Sequence, residues 1–344
     1  MNTATLILRA DASTQIGIGH FTRSLSLARA WQESGGRAVL ISRCDSPDLL
    51  NRAATLVAEV VALEEGDRGI DQVLAKVPRQ PDAWVCLDGY DFGVEDQQRF
   101  KDEDINLLVI DDYVHAERYV ADVILNQNLD SIDLSYPSEP DTELLLGTRY
   151  CLLSPEFRQW RGDVRVAPRL ARRVLVSLGG SDPDNVTMKV VQALGLLTDF
   201  DLEATVVVGP SNPHFAALND VLTAADRPHK LVRAAANMPE LMHQADVAVS
   251  AGGATCWELA IMGVPFATLT IADNQRPNAA NLDAANVSMS IGWHADADPA
   301  RIAQVLAQLV EDQPRRQAMS EAGQKLVDGD GANRVVAALR ARLH

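Results

Sequence analysis

The stretch Leu6-Ile7-Leu8-Arg9-Ala10-Asp11-Ala12-Ser13-Thr14-Gln15-Ile16-Gly17-Ile18-Gly19-His20-Phe21-Thr22-Arg23 reads as an apolar strand, a polar turn, a Gly-x-Gly-His loop and the start of a helix. Glycines let the backbone approach a ligand closely, and the helix N-terminus behind them aims unpaired N–H groups at an anion. His20 stands at that mouth with a side chain suited to proton transfer near neutral pH. An anion cradle and a candidate base within one turn favour an enzyme acting on a phosphorylated or nucleotide-linked substrate.

Outward from this motif, the pattern alternates short apolar runs with helical stretches. Residues 20–34 repeat Phe21, Leu25, Ala28 and Trp31 at helical spacing, with Arg23, Ser26 and Arg29 expected on the opposite side, and Gly35-Gly36 as the stop. Strands are expected at 5–9, 38–42, 56–63, 83–87, 106–110 and 123–125. Several of them lack alternation, as buried parallel strands do. The theme restarts at 174–178, 205–208, 247–250 and 266–270, and helices close the chain after about residue 299. Between the halves, residues 155–173 carry Arg158, Arg161, Arg165, Arg169, Arg172 and Arg173 with little apolar periodicity, and read as a connection. The expected domains are therefore 1–160 and 171–325, followed by a terminal helix at 326–344. Two doubly wound α/β domains are implied, with ligand beyond the strand ends in a cleft between them.

The second half repeats the strand–glycine turn–helix device. Gly179-Gly180-Ser181-Asp182-Pro183 offers tight turning glycines, a capping Ser181 or Asp182 and a proline suited to a first helical turn. Ala251-Gly252-Gly253-Ala254-Thr255 is the same device, and Glu258 follows one turn on, where a carboxylate can accept both hydroxyls of a ribose. Two acidic strand ends, Asp88-Gly89-Tyr90-Asp91 and Asp111-Asp112-Tyr113, can orient a base or a substrate hydroxyl, or cap a helix. Capping is the expectation for Asp91 and Asp112. Asn126-Gln127-Asn128 and Asn274-Gln275 bring amides suited to sugar or acetamido recognition.

Composition narrows the class. With 344 residues, 47% hydrophobic and 23% charged, the chain is an ordinary globular one long enough for two cores. A formal charge of −16, without any Lys/Arg stripe, argues against a nucleic-acid partner. Cys44, Cys86, Cys151 and Cys256 are scattered without metal or disulfide spacing, and the chain opens without an apolar leader. The expectation is a cytoplasmic protein with no stable membrane association, taken as a monomer.

The run from Arg9 to Arg23 resembles the signature of the UDP-2,4-diacetamido-2,4,6-trideoxy-β-L-altropyranose hydrolases of pseudaminic acid biosynthesis. The blocks at Asp88-Gly89-Tyr90, Asp111-Asp112, Asn126-Gln127-Asn128, Gly179-Gly180-Ser181-Asp182 and Ser250-Ala251-Gly252, with Glu258 and Asn274-Gln275, follow in the same order. That family is similar to the peptidoglycan N-acetylglucosaminyltransferase. The resemblance implies a GT-B fold of two Rossmann-like domains, UDP held mainly by the second, and inverting hydrolysis at the anomeric carbon without metal or cofactor. It places the general base on His20, with Asp11 to orient it or to shape the sugar pocket. It implies substrate contacts from Gly17, Ile18, Gly19, Arg23, Tyr90 and Asn126 in the first domain. In the second it implies Gly180 and Ser181 for the diphosphate, Met238 near the uracil, Glu258 on the ribose, and Gly253, Ala254, Thr255, Asn274 and Gln275. The rival expectations are a GT-B transferase moving sugar from a UDP-sugar to an acceptor, a hydrolase of a related diacetamido sugar, and a silent nucleotide-sugar binder.

Overall fold

The structure, a computed structural model, describes residues 3–13, 15–78, 82–180, 182–210, 212–225, 227–235 and 237–343. The chain divides into two compact units, Met1–Pro155 together with Gly329–His344, and Glu156–Asp328.

The first unit alternates β1 (Thr5–Ala10), α1 (Gly19–Glu33), β2 (Arg37–Ser42), α2 (Pro47–Ala54), β3 (Glu59–Ala62), α3 (Ile70–Lys76), β4 (Ala83–Asp88), α4 (Val94–Lys101), β5 (Asn106–Ile110), β6 (Val123–Asn126) and β7 (Glu143–Leu146). All seven strands pair in parallel in the order β3-β2-β1-β4-β5-β6-β7. Leu6 and Leu8 face one core and Ile7 the other, so β1 is apolar on both sides. The order reverses between β1 and β4. Ligands of such sheets bind beyond the strand ends at this reversal.

Helix α1 departs from the expected two-sided pattern, because Arg23 and Ser26 are buried along with its apolar residues. Arg23 tolerates burial through two carboxylates described below. The outer face of α1 is covered by the last helix of the chain, whose Val335, Val336 and Leu339 join the core around Trp31 and Leu27.

The second unit runs β8 (Arg173–Ser177), α5 (Val186–Leu196), β9 (Glu203–Val208), α6 (Phe215–Ala224), β10 (Lys230–Arg233), α7 (Met238–Gln244), β11 (Val247–Ser250), α8 (Thr255–Ile261), β12 (Phe266–Thr270), α9 (Arg276–Ala284), β13 (Ser288–Trp293), α10 (Pro299–Glu311) and α11 (Gln313–Leu326). The chain then returns to the first unit as α12 (Gly331–Ala341). The second sheet is also parallel, ordered β10-β9-β8-β11-β12-β13, with its reversal between β8 and β11. The arginine-rich segment before β8 packs into this unit. Arg165 donates to the carbonyls of Met242, His243 and Ala245, and buried Arg316 reaches back to the Pro168 carbonyl. Among the described residues no helix is long and apolar enough to cross a membrane.

Candidate active site

The loop from Asp11 to Ile18 links β1 to α1 at the first reversal point. It is held by its own backbone. Gly17, at φ +78°, donates its N–H to the Ser13 carbonyl at 2.9 Å, and Ser13 Oγ accepts the N–H groups of Gln15 and Ile16. The Gly17 N–H is thus committed within the loop, contrary to its expected place in a diphosphate cradle. Ile18 precedes the helix without a side-chain cap, and Gly19 and His20 form its first turn, where N–H groups lack intrahelical acceptors.

His20 projects from this turn to the end of β4. Its Nδ1 lies 2.6 Å from Asp88 Oδ1. The guanidinium of Arg23, one turn on, fills the space behind the pair. Its Nε donates to Asp88 Oδ2 at 2.8 Å, and Nη2 to Asp88 Oδ1 at 2.6 Å and to Asp112 Oδ2 at 3.0 Å. Nη1 donates to Asp112 Oδ1 at 2.8 Å, while Ser24 and Tyr90 hydroxyls donate to Asp88 and Asp112 respectively. The Tyr90 ring also meets His20 edge to face, centroids 4.9 Å apart.

Burial by itself would raise the Asp88 and Asp112 carboxyls, but Arg23 outweighs it and holds both below the usual carboxylate range. The same carboxylates raise the already strongly basic Arg23 against the effect of its burial. Asp88 is therefore ionised and has no proton to give. Both Arg23 Nη2 hydrogens are already directed at carboxylate oxygens, although this atom lies 3.1 Å from His20 Nδ1. The hydrogen in the 2.6 Å contact must then sit on Nδ1, so that in the neutral imidazole the lone pair is on Nε2. Among the described residues Nε2 has no hydrogen-bond partner. This is the arrangement of an oriented base.

Asp11 does not serve His20. Its carboxylate is taken by the guanidinium of Arg9, the backbone N–H of Arg43 at 2.7 Å and Arg43 Nη2 at 2.9 Å. Asp88 takes the role because β4, not the chain next to the loop, lies beside β1 at the reversal. Asp112 binds Arg23 and Tyr90 and caps no helix. Asp91 does not cap α4 either, since Asp96 accepts the Gly93 N–H there. Asn126 is fully buried and spent, donating to Tyr136 and accepting from Asn128 N, so its amide is not available for sugar recognition.

At the second reversal point the groups are mostly backbone. Gly179 has φ +92°, and a Cβ on Gly209 would lie 1.7 Å from the Gly180 carbonyl oxygen, so only glycine lets these two loops meet. Ser181 lies outside the described residues. Buried Asp182 accepts Val186 N at 2.7 Å and Thr187 N at 2.8 Å, capping α5 from a turn that keeps Pro183 outside the helix. After β11, Gly252 packs against Gln275, whose Oε1 accepts the N–H groups of Gly252 and Ile271. Half the Gln275 amide is thus scaffold. Asn274 is exposed beside it, and Met238 opens α7 half-buried.

Gly253 and Ala254 lead into α8 at Thr255 without a side-chain cap. The half-buried Glu258 carboxyl has no hydrogen-bond partner among the described residues, and burial pushes it up to about 7. Among the described residues no three or more His, Cys, Asp or Glu side chains are grouped to hold a metal ion.

Two parallel Rossmann-like units, each with loops at its reversal point, define a GT-B glycosyltransferase-like fold. Residues 174–335 match the glycosyltransferase family 28 C-terminal domain. Over 99% of the chain the structure is similar to MurG of Acinetobacter baumannii, with a TM-score of 0.67, 14% identity and all of that chain covered. The spore coat polysaccharide biosynthesis protein SpsG of Bacillus subtilis is 28% identical over 64% of this chain, and the match spans 65% of that relative's length. The UDP-2,4-diacetamido-2,4,6-trideoxy-β-L-altropyranose hydrolase of Campylobacter jejuni is 20% identical over 80% of this chain and 94% of its own.

Proposed function

We propose that this protein is a UDP-sugar hydrolase acting on UDP-2,4-diacetamido-2,4,6-trideoxy-β-L-altropyranose or a close diacetamido relative, in the cytoplasm, within pseudaminic acid biosynthesis. The observation that carries the reading is the Asp88–His20 pair, which holds an Nε2 with no partner among the described residues at the first reversal point. Water hydrogen-bonded to Nε2 attacks C1 from the face opposite the nucleotide. Its proton passes to Nε2 as the new C1–O bond forms. The bond from C1 to the diphosphate oxygen breaks with inversion, and UDP leaves with the electron pair.

Asp88 keeps the imidazole in the accepting tautomer and balances the imidazolium that forms, while Arg23 and Asp112 fix Asp88. The N–H groups in the Gly179-Gly180 loop suit the developing diphosphate charge. The Glu258 carboxyl, without a hydrogen-bond partner among the described residues, would accept the ribose hydroxyls. The match across 94% of the Campylobacter hydrolase's length, at 20% identity, supports this reading.

A proton and phosphorus NMR time course with that UDP-sugar, without added acceptor, tests it. Free sugar and UDP should appear together with the wild type, the first-formed anomer inverted. His20→Ala should slow release by about 10²–10⁴-fold. Intact substrate with the wild type, turned over only when a sugar acceptor is added, would instead mark a transferase.

A further inference from the structure

The loop after β5 is built with more constraint than a connection needs. Asp111 is fully buried, and its Oδ1 accepts the N–H groups of Tyr113 at 2.7 Å and Val114 at 2.8 Å. Its Oδ2 accepts His115 N at 3.2 Å, His115 Nδ1 at 2.7 Å and the Tyr119 hydroxyl. These five donors hold Val114 at φ +59°, a left-handed conformation unfavourable for a β-branched residue.

The residue this loop presents is Tyr113. Its neighbours His115 and Tyr119 turn inward, but Tyr113 is 43% exposed, and among the described residues its hydroxyl has no partner. Its ring is not isolated. The centroid lies 4.9 Å from that of Tyr90, which stands 4.9 Å from His20. A partly exposed aromatic ring thus lies two ring contacts from the base.

We infer that Tyr113 is the platform on which the pyranose ring of the substrate rests, and that it selects sugars with an apolar face. This rests on the nucleotide-sugar reading above. The C–H bonds of a pyranose, a 6-deoxy carbon or an acetamido methyl carry slight positive charge and match the negative face of an aromatic ring. An axial hydroxyl or a 6-hydroxyl turned toward the ring would lose its hydration without a hydrogen bond in return. Tyr90, edge-on to His20 and bonded to Asp112, belongs to the positioning of the base, whereas Tyr113 touches no charged group of that network by hydrogen bond.

The test is steady-state kinetics of the full chain and of Tyr113→Ala and Tyr113→Phe with UDP-2,4-diacetamido-2,4,6-trideoxy-β-L-altropyranose, with calorimetric titration of UDP alone. Tyr113→Ala should raise KM about tenfold with kcat within about twofold, the signature of lost uniform binding. Its UDP affinity should match the wild type, and Tyr113→Phe should behave as wild type throughout. An unchanged KM in Tyr113→Ala overturns the platform, and so does a fall in kcat at constant KM, which would mean that Tyr113 acts through Tyr90 on His20. If the wild type releases no UDP, the hydrolase reading fails. The platform is then judged by calorimetric titration of the same intact UDP-sugar: affinity about tenfold weaker in Tyr113→Ala sustains it, and equal affinity overturns it.

Discussion

The two reversal points are alike in topology and opposite in chemistry. Beyond β1 and β4 the first unit joins three charged side chains and a histidine in one hydrogen-bonded set, His20–Asp88–Arg23–Asp112. Beyond β8 and β11 the second unit brings glycine turns together and leaves one half-buried carboxyl, Glu258, without a partner among the described residues. In the first site each charged side chain already has hydrogen-bond partners without a ligand. The second becomes satisfied only when something donates to Glu258. On the proposed reading, the first region serves the reaction and the second serves binding.

The sharpest way to break this contrast is Asp88→Asn. It keeps the shape but lets the amide present a donor to His20, favouring the tautomer with the proton on Nε2. A loss of kcat on the order of 10⁴-fold is expected in the NMR assay, with KM little changed. A loss below about tenfold would remove Asp88 from the reaction.

Arg23→Met comes next and reads out as stability. It leaves Asp88 and Asp112 buried with their main counter-charge gone, at a cost of about 3–5 kcal/mol in urea unfolding near neutral pH. Because both carboxyls are held low, they bind protons more weakly folded than unfolded. The stability they contribute is present above about pH 4 and lost as pH falls through their folded values. Arg23→Met should therefore flatten the acid limb of the wild-type profile.

Glu258→Gln should have the smallest effect and the opposite pH sign. A carboxyl raised from 4.5 to about 7 binds its proton more tightly folded than unfolded. Stability then falls as pH rises between those values, by at most ~1.4 kcal/mol per pH unit, and levels off above. The glutamine variant should lose that slope and raise KM for the UDP-sugar about tenfold. A variant that keeps the slope would show that Glu258 titrates normally and would erase the difference between the two sites.

Much of the architecture is legible in the sequence because buried parallel strands are continuous apolar runs bounded by glycine turns. The strands escaping this reading are β7, β10 and β13, which lie at sheet edges and mix polar residues into short segments. At the site, His20 stands out by its glycines, whereas its partner does not. Asp88 and Asp112 meet Arg23 across 65 and 89 residues, a pairing created only by the strand order. Arg23 reads as a surface residue for the same reason, its counter-charges being remote in sequence. Asn126 misleads in the other direction, since an amide suited to a sugar is equally suited to a buried tyrosine hydroxyl.

Helix α12 has a consequence for how the chain is made. The first unit takes its last core residues, Ala332, Val335, Val336 and Leu339, from the far end of the sequence, and a Cβ on Gly331 would strike the Cys151 backbone at 2.2 Å. During synthesis the residues up to Pro155 emerge first, yet the face of α1 that α12 covers waits open until the whole second unit has followed. A nascent first unit is therefore sticky for most of translation, and a fragment cut at its own boundary would stay so. The unit that begins the chain is the one finished last.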